Sequence, residues 1–335
     1  MKVLLVRLGA LGDIVHAVPV AAALRRAVTG VRIDWAVDRR HAELLALFPV
    51  ADRIVELDFG SWRHVIGTSR RLRAEAYDVA LDVQGLMKSA LVARLSGARR
   101  VVGFARAALR EPMARALYTE TIEPDDHGHV IRKNLSLLRA LDVPFPQVEF
   151  PVALPASAVA DEIAREYPAG YGLINPGAGW PNKQWPAKRF GALAAAIRRS
   201  EGLPSVVVWG PGEDRLARAV AANSDGAAEP VPPTGLRDLF AVIRGAAFLV
   251  SGDTAPIHLA AAVGTPVVGL YGPTSPERNG PWSADDVSVS RYGSCRCHHK
   301  RRCTEWTRCL DTIEAGEVAA AVHDRLKRAR NGRTF

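Results

Sequence analysis

Long apolar stretches are absent from the 335-residue sequence. No run of about eighteen apolar residues, the minimum for a membrane-spanning helix, occurs in it. The opening residues Met-Lys-Val-Leu-Leu-Val-Arg lead directly into a strand pattern without the layout of a signal peptide. We therefore expect a soluble, cytosolic protein.

Cysteine is also scarce, and what there is lies in one segment: Cys295, Cys297, Cys303 and Cys309, with His298 and His299 alongside. In a cytosolic protein such a cluster favours a metal over disulfides, yet its spacing matches none of the paired C-x2-C zinc patterns. Reduced structural thiols are the alternative. The sequence therefore does not assign a metal to this segment, and both alternatives stay open.

Acidic residues are missing from two basic segments of the first half, in a chain with a formal net charge of +9. Residues 61–73 contain four arginines and no acid, and residues 94–115 contain six arginines against Glu111 alone. Such clusters are either solvated helix faces or a surface for nucleic acid, an anionic membrane or an anionic substrate. Aromatic residues are not interleaved with the arginines, which argues against nucleic acid.

Strand and helix patterns alternate along the chain, which predicts an α/β fold of two doubly wound, Rossmann-like domains with a cleft between them. We place the domains at 1–150 and 151–335, divided by the proline-rich connector 143–155. The final helical pattern, 313–330, packs on one of the two domains. The predicted strands are 3–6, 32–37, 53–57, 79–82, 100–102, 172–175, 205–209, 246–250 and 266–271, and the main predicted helices are 14–27, 186–199, 214–222, 236–244 and 255–263.

The stretch 251–273 is the most informative of the sequence. A buried strand ends in Ser-Gly-Asp253-Thr254, a helix runs from Ala255 to Val263 with proline in its first turn, and Gly264 ends it. A helix that begins at the carboxyl end of a strand favours an anion, because its free N–H groups and macrodipole point there. The pattern predicts a phosphate-bearing ligand, unless Asp253 and Thr254 simply cap a packing helix.

Three further segments carry candidate chemistry. The loop Gly9–Asp13 lacks the G-x-G-x-x-G spacing of dinucleotide sites, so Asp13 is either a general base or a helix N-cap. Lys183, between Trp180 and Trp185, is a candidate phosphate clamp or else a surface lysine. Glu213 follows a strand and a glycine-rich turn, where it either accepts hydrogen bonds from a ribose or caps the next helix.

Together these motifs resemble the bacterial lipopolysaccharide heptosyltransferase family, glycosyltransferase family 9, whose fold is GT-B. In the second half, Lys183, Glu213 and Ser251 to His258 resemble the donor-binding motifs of the family. In the first half, the resemblance is to the branch that adds the first heptose to the Kdo sugar on lipid A. The matching segments there are Arg7 to His16, Ile33 to Val37, Tyr77 to Ala90 and Arg110 to Ala114.

The resemblance implies a role for each matching residue. Asp13 would be the general base, Lys183 would hold the donor diphosphate, Glu213 the adenosine ribose and Asp253 the sugar hydroxyls. The helix that starts after Thr254, with Ala255 and His258, would face phosphate. Basic residues would meet the anionic acceptor, namely Arg63, Lys88 and Arg110.

The implied reaction is an inverting, metal-independent transfer from ADP-heptose to Kdo-lipid A, without a cofactor, at the cytoplasmic face of the inner membrane. Domain closure through the connector would bring donor and acceptor together. The chain departs from that branch at Ser275 to Trp282 and in the cysteine segment. Addition of a second heptose and a sugar-nucleotide epimerase of similar fold are therefore kept as alternatives.

Overall fold

The computed structural model describes residues 1–124, 128–144 and 147–331. The chain forms two compact units, Met1–Ala153 and Leu154–Phe335. Their boundary falls within the proline-rich segment 143–155, of which Phe145 and Pro146 lie outside the described residues.

The first unit is a six-stranded parallel sheet with strand order β3-β2-β1-β4-β5-β6. Its strands are β1 (Lys2–Val6), β2 (Arg32–Asp38), β3 (Arg53–Leu57), β4 (Val79–Asp82), β5 (Arg100–Phe104) and β6 (Glu120–Ile122). Its helices are α1 (Leu11–Val15), α2 (Val18–Ala27), α3 (Ala42–Leu45), α4 (Trp62–Ala74), α5 (Met87–Leu95) and α6 (Val130–Ser136).

The second unit repeats this topology, with strand order β12-β11-β10-β7-β8-β9 and parallel pairing throughout. Its strands are β7 (Gly172–Asn175), β8 (Ser205–Val207), β9 (Ala228–Pro230), β10 (Phe248–Gly252), β11 (Val267–Tyr271) and β12 (Val287–Ser290). Its helices are α7 (Ala158–Glu166), α8 (Ala187–Glu201), α9 (Asp214–Ala222), α10 (Leu236–Gly245), α11 (Ala255–Val263), α12 (Pro276–Asn279) and α13 (Ala315–Asn331).

The strand order places a topological switch point in each unit, between β1 and β4 and between β7 and β10. Ligands of such sheets bind beyond the carboxyl ends of the strands at this point. Asp13 and Lys88 lie in the helices α1 and α5, which follow β1 and β4, and Lys183 and Asp253 lie in the segments that follow β7 and β10. The fold therefore places candidate residues of each unit beside that unit's own switch point.

The predicted α/β architecture is confirmed, with local corrections. The single helix predicted over 14–27 is wrong, because the chain forms α1 and α2 with a break at His16–Ala17 and Pro19 in the first turn of α2. The strand predicted at 246–250 starts two residues later and runs to Gly252. Three strands were not predicted, and all three are edge strands: β6, β9 and β12.

The last helix, α13, packs within the second unit, against α8 and the strands β11 and β12. Its apolar side buries Val318, Val322 and Leu326 in the core that Trp185 and Phe190 also occupy. Buried Arg325 pairs with the carboxylate of Asp286 at 2.7 Å. None of the helices in the described part of the chain is both long and apolar enough to cross a membrane.

Replacement of Leu326 by alanine is expected to lower the free energy of unfolding by about 2 kcal/mol, because it removes buried methyl groups and leaves a cavity. Chemical denaturation of both proteins measures the difference. Lys327→Ala is the matched control, since the Lys327 side chain is exposed on the same helix. Equal losses for the two variants would contradict a packing role for this face of α13.

Candidate functional site

The carboxyl ends of β7 and β10 are tied together by side chains. Asn175 and Ser251 are direct register partners of the parallel pair. The Asn175 amide donates to the hydroxyl of Ser251 at 2.8 Å and to the hydroxyl of Thr254 at 3.1 Å. These bonds fix the loop after β7 against the start of α11, so the two loops form one structural site.

Lys183 and Asp253 form an ion pair across these loops. The Lys183 ammonium lies 2.7 Å from the Asp253 carboxylate and also donates to the Asp253 carbonyl at 3.3 Å. The same ammonium lies 4.7 Å from the centre of the Trp180 ring, within reach of a cation–π interaction. Lys183 is thus not a freely solvated surface lysine, because three neighbouring groups hold its charge in place.

Asp253 is almost fully buried, with His258 Nε2 3.6 Å from its other carboxylate oxygen. Burial by itself raises the pKa of such a carboxyl group. Contact with His258 and the positive charge of Lys183 outweigh burial and hold the pKa of Asp253 well below its usual range. The carboxylate therefore stays ionised, and it can accept hydrogen bonds from hydroxyl groups of a ligand.

Helix α11 begins beside this ion pair and matches the predicted range, Ala255–Val263. Thr254 occupies the N-cap position, but its hydroxyl contacts Ser251 and Asn175 and makes no cap hydrogen bond with the first turn. The positive end of the helix macrodipole thus lies next to Lys183. A Cβ atom at Gly252 would lie 2.8 Å from the Lys183 carbonyl oxygen, so glycine permits this close approach.

Glu213 occupies the N-cap position of α9 without a side-chain cap bond. Its carboxylate turns back into the preceding loop and accepts from the Gly210 amide at 2.9 Å. A Cβ atom at Gly177 would overlap this carboxylate, which places Glu213 against the loop after β7. Asp214, the other acid of this segment, pairs with Arg218 on the surface of α9. Glu213 is therefore the acid of this pair that lies near the Lys183 loop.

A cavity of about 650 Å³ lies beside Asp214 in the second unit, and the charged residues of its lining are mostly acidic, unlike the start of α11. Its lining comes from α7, from residues 229–233, and from parts of β8 and α9 with the loop between them. Its charged side chains are Glu162, Glu166, Asp214 and Glu229 against Arg218 alone. A phosphate group would meet net negative charge in this cavity, and the start of α11 is the better phosphate position.

In the first unit, Asp13 lies at the third position of α1, where an acid bonds back to the start of its helix. Its carboxylate accepts from the Ala10 amide at 3.3 Å and lies 2.6 Å from the guanidinium of Arg7. The N-cap itself is Ala10, so the alternative of Asp13 as the N-cap residue is wrong. Asp13 remains partly exposed, with 44% of its side chain accessible. A ligand can reach it.

Arg7 forms the ion pair that holds the Asp13 carboxylate in place. Arg7 was not identified as a site residue from the sequence. Its guanidinium is buried and donates to the carbonyl of Val83, in the loop after β4. The same guanidinium forms an ion pair with the Asp13 carboxylate. An arginine directly after the apolar residues 3–6 and six residues before an acid was the available signal.

The loop after β4 fixes the start of α5 and with it Lys88. Buried Asp82 accepts from the hydroxyls of Ser89 and Tyr118 and from the amides of Gln84 and Gly85. Burial raises the pKa of Asp82 against the opposing effect of these four bonds. The Lys88 ammonium lies 3.1 Å from the centre of the Phe59 ring.

The other two basic candidates lie on neighbouring segments of the first unit. Arg63 is exposed in the first turn of α4, and Arg110 is exposed between the short 3-10 helices Arg106–Ala108 and Pro112–Leu117. Both α4 and Pro112–Leu117 contact α5. The three basic candidates therefore belong to one contiguous group of segments.

The cysteine segment packs beside the Lys183 loop as two close pairs. The sulfurs of Cys297 and Cys303 are 3.0 Å apart, and Cys309 interacts with Cys295. Within the described residues, no group of three or more His, Cys, Asp or Glu side chains is arranged to hold a metal ion. The segment is attached to the Lys183 loop by the guanidinium of Arg308, which donates to the Pro181 carbonyl at 2.9 Å.

Comparison with known protein families gives one match. The family model described as glycosyltransferase family 9 (heptosyltransferase) matches residues 65–307. The match covers residues 65–73 and 94–115 of the two basic segments, but not Arg63, and it covers the Lys183 and Asp253 loops of the second unit.

Individual proteins that are similar in sequence to this chain are also heptosyltransferases. Lipopolysaccharide heptosyltransferase 1 of Pseudomonas aeruginosa is 31% identical over 91% of this chain and 88% of its own length. Lipopolysaccharide heptosyltransferase 3 of Escherichia coli is 27% identical over 96% of this chain and 98% of its own length.

Solved structures of E. coli heptosyltransferase WaaC share the fold. The structure with ADP has a TM-score of 0.77 at 24% identity, and covers 98% of this chain and 99% of that one. The structure with ADP-2-deoxy-2-fluoro heptose has a TM-score of 0.75 at 24% identity, and covers 97% and 99%. The predicted GT-B fold, with two Rossmann-like units, is therefore confirmed.

Proposed function

We infer the activity of this protein from its family: the chain belongs to glycosyltransferase family 9, the heptosyltransferase family, and is a glycosyltransferase. We propose that it transfers a heptose from ADP-heptose to the Kdo sugar of the lipopolysaccharide inner core, carried on lipid A. The observation that carries this proposal is the pairing of Lys183 with Asp253 at the start of α11, in a chain of this family.

The donor is assigned to the second unit. Lys183 and the first turn of α11, with Thr254, Ala255 and His258, offer positive charge and helix dipole to a diphosphate. The ionised carboxylate of Asp253 accepts from hydroxyls of the heptose, and that of Glu213 accepts from the ribose. The Lys183–Asp253 contact supports this division, since one residue binds an anion and the other binds hydroxyl groups.

The reaction is a single inverting displacement. The acceptor hydroxyl gives its proton to the Asp13 carboxylate as its oxygen forms a bond to the anomeric carbon. The bond from that carbon to the diphosphate oxygen breaks with its electron pair, and ADP leaves from the opposite face. Negative charge that develops on the diphosphate is stabilised by Lys183 and the α11 terminus, which are positioned beforehand. These groups supply the positive charge that a divalent ion supplies in other transferases, so the scheme needs no metal.

The acceptor is assigned to the first unit. Arg63, Lys88 and Arg110 offer positive charge to the carboxylates of Kdo and the phosphates of lipid A. Because that acceptor is anchored in a bilayer, the enzyme would work as a cytoplasmic protein bound peripherally at the inner face of the inner membrane. Nucleic acid is not among its proposed partners.

Mass spectrometry of the products of ADP-heptose and Kdo-lipid A tests the proposal. The expected result is an acceptor heavier by one heptose, with one ADP released for each product. Turnover only on an acceptor that already carries one heptose would assign the second-heptose alternative instead. Release of ADP or conversion of the sugar without any acceptor would favour the epimerase alternative.

A substitution at Gly177 tests the assignment of Glu213. In Gly177→Ala the new methyl group displaces the Glu213 carboxylate, so ADP is expected to bind about tenfold more weakly through the loss of a charged hydrogen bond. Isothermal titration with ADP measures this. Gly179→Ala is the control, because a Cβ atom there meets nothing within 4 Å. Unchanged ADP affinity in Gly177→Ala would remove Glu213 from the nucleotide site.

A further inference from the structure

Helix α5 presents an apolar and basic face to solvent. It buries Ser89, Ala90, Val92 and Ala93, and it exposes Met87, Lys88, Leu91, Arg94 and Leu95. Met87, Leu91 and Leu95 are spaced four residues apart and therefore form one line along the helix. Leu91 is 46% exposed and Leu95 42%. A surface helix normally turns its polar residues outward, and this one exposes three large apolar side chains.

The segments that contact α5 continue this pattern. On α4, Ile66 is exposed near Arg63 and Arg70, and the helix contains no acid. On Pro112–Leu117, Met113 is 77% exposed, with Arg115 nearby in sequence. In the part of the chain that the structure describes, eight large apolar side chains are exposed, and five of them lie on these three segments. We call these three segments the α4–α5 face.

We propose that the α4–α5 face docks on an anionic bilayer surface, with Leu91, Leu95 and Met113 entering the boundary between headgroups and acyl chains. Exposed apolar patches of this kind mark interaction sites. Apolar side chains combined with arginines on one face are the pattern of interfacial membrane binding, because arginines extend to lipid phosphates while their neighbours enter the bilayer.

Charge selects the bilayer over a second copy of this chain. A two-fold dimer through this face would bring its arginines against the same arginines of the partner, and juxtaposed like charges are costly. The exposed arginines of the three segments and their links are Arg63, Arg70, Arg71, Arg73, Arg94, Arg99, Arg100, Arg106, Arg110 and Arg115, and the exposed acid among them is Glu111. An anionic lipid surface neutralises this charge.

The inference rests on the proposed function in one respect, the lipid-anchored acceptor. The proposed acceptor residues Arg63, Lys88 and Arg110 lie on or beside the same three segments. Docking through Leu91 and Leu95 would hold these cations at the level of the headgroups, where the sugar of a lipid-linked acceptor begins. The face therefore binds the membrane, and the basic residues at its edge bind the substrate.

The test compares the full chain with its double variant Leu91→Gln/Leu95→Gln in sedimentation with vesicles of phosphatidylethanolamine and phosphatidylglycerol. Partition of the variant is expected to fall roughly tenfold or more, because two leucines no longer leave water. The control is Leu154→Gln/Trp306→Gln, which removes two exposed apolar side chains of the second unit. Its partition should equal that of the unchanged protein. Added salt should weaken the binding of all three proteins.

Two further measurements keep the outcomes apart. Turnover on an acceptor stripped of its acyl chains, without vesicles, should be the same in the Leu91→Gln/Leu95→Gln variant and the unchanged protein. Its loss there would assign the face to the substrate site and overturn the proposal, as would undiminished vesicle partition. Light scattering that shows a dimer lost in the variant would identify a second copy as the occupant. If no acceptor is turned over, the proposed function fails, and the vesicle comparison still decides the docking.

Discussion

Replacement of Asp13 by asparagine is expected to lower kcat by about a hundred- to ten-thousand-fold, the range for loss of a general base. Asparagine has the same shape and can still accept from the Ala10 amide, but it cannot take a proton from the acceptor hydroxyl. The affinity for ADP should not change, because the donor is assigned to the second unit. Single-turnover kinetics with saturating donor separate the chemical step from binding.

The control for this variant is Glu43→Gln, an exposed acid on α3 of the same unit. It removes the same charge from the first unit and should leave turnover unchanged. A folded Asp13→Asn protein that binds ADP and keeps near-normal turnover would show that another group takes the proton. Arg7 would then pair with Asp13 for structural reasons alone.

Replacement of Lys183 by glutamine is expected to lower kcat/KM about a hundred- to a thousand-fold, as removal of one preorganised stabilising group does in other enzymes. The loss arises because the diphosphate gains negative charge as the glycosidic bond breaks, and Lys183 is the cation closest to the start of α11 in the described site. Lys327→Gln, an exposed lysine on α13, serves as the charge control. Steady-state kinetics at varied ADP-heptose measure the effect.

Stability has to be separated from catalysis in this variant. Loss of the lysine leaves the buried Asp253 carboxylate without its cation, and breaking a buried pair is destabilising by about 3–5 kcal/mol. The double variant Lys183→Gln/Asp253→Asn removes that uncompensated charge and should recover much of the melting temperature, while kcat/KM stays low because both side chains are assigned to the donor. Recovery of kcat/KM along with stability would mean that Lys183 acts through folding and not on the diphosphate.

The site residues could be predicted from the sequence where neighbouring residues form a recognisable local motif. The strand, turn and helix around Asp253 and Thr254 were recognisable because helix caps, a proline in the first turn and a glycine at the end are written in adjacent residues. The same holds for Asp13 as a candidate, although not for its position within α1. The N-cap of that helix is an alanine, which no capping preference would select.

Three of the edge strands could not be predicted from the pattern of apolar residues along the sequence. β6, β9 and β12 are three or four residues long, and most of their residues are only partly buried. An edge strand has one neighbour and less core contact, so its sequence needs little apolar alternation. Their existence is decided by pairing with β5, β8 and β11, and this pairing is not encoded within the strand itself.

The sequence by itself determined the alternation of strands and helices, the central strands of both sheets, the helix at Ala255 and the family. These depend on periodicity and caps over a few neighbouring residues. The tertiary structure alone decided that Lys183 meets Asp253, seventy residues away in the chain, and that Arg7 holds Asp13. It also decided that Leu91 and Leu95 face water. The sequence of a helix shows which of its sides is apolar, but only the tertiary structure shows whether that side packs against the rest of the protein.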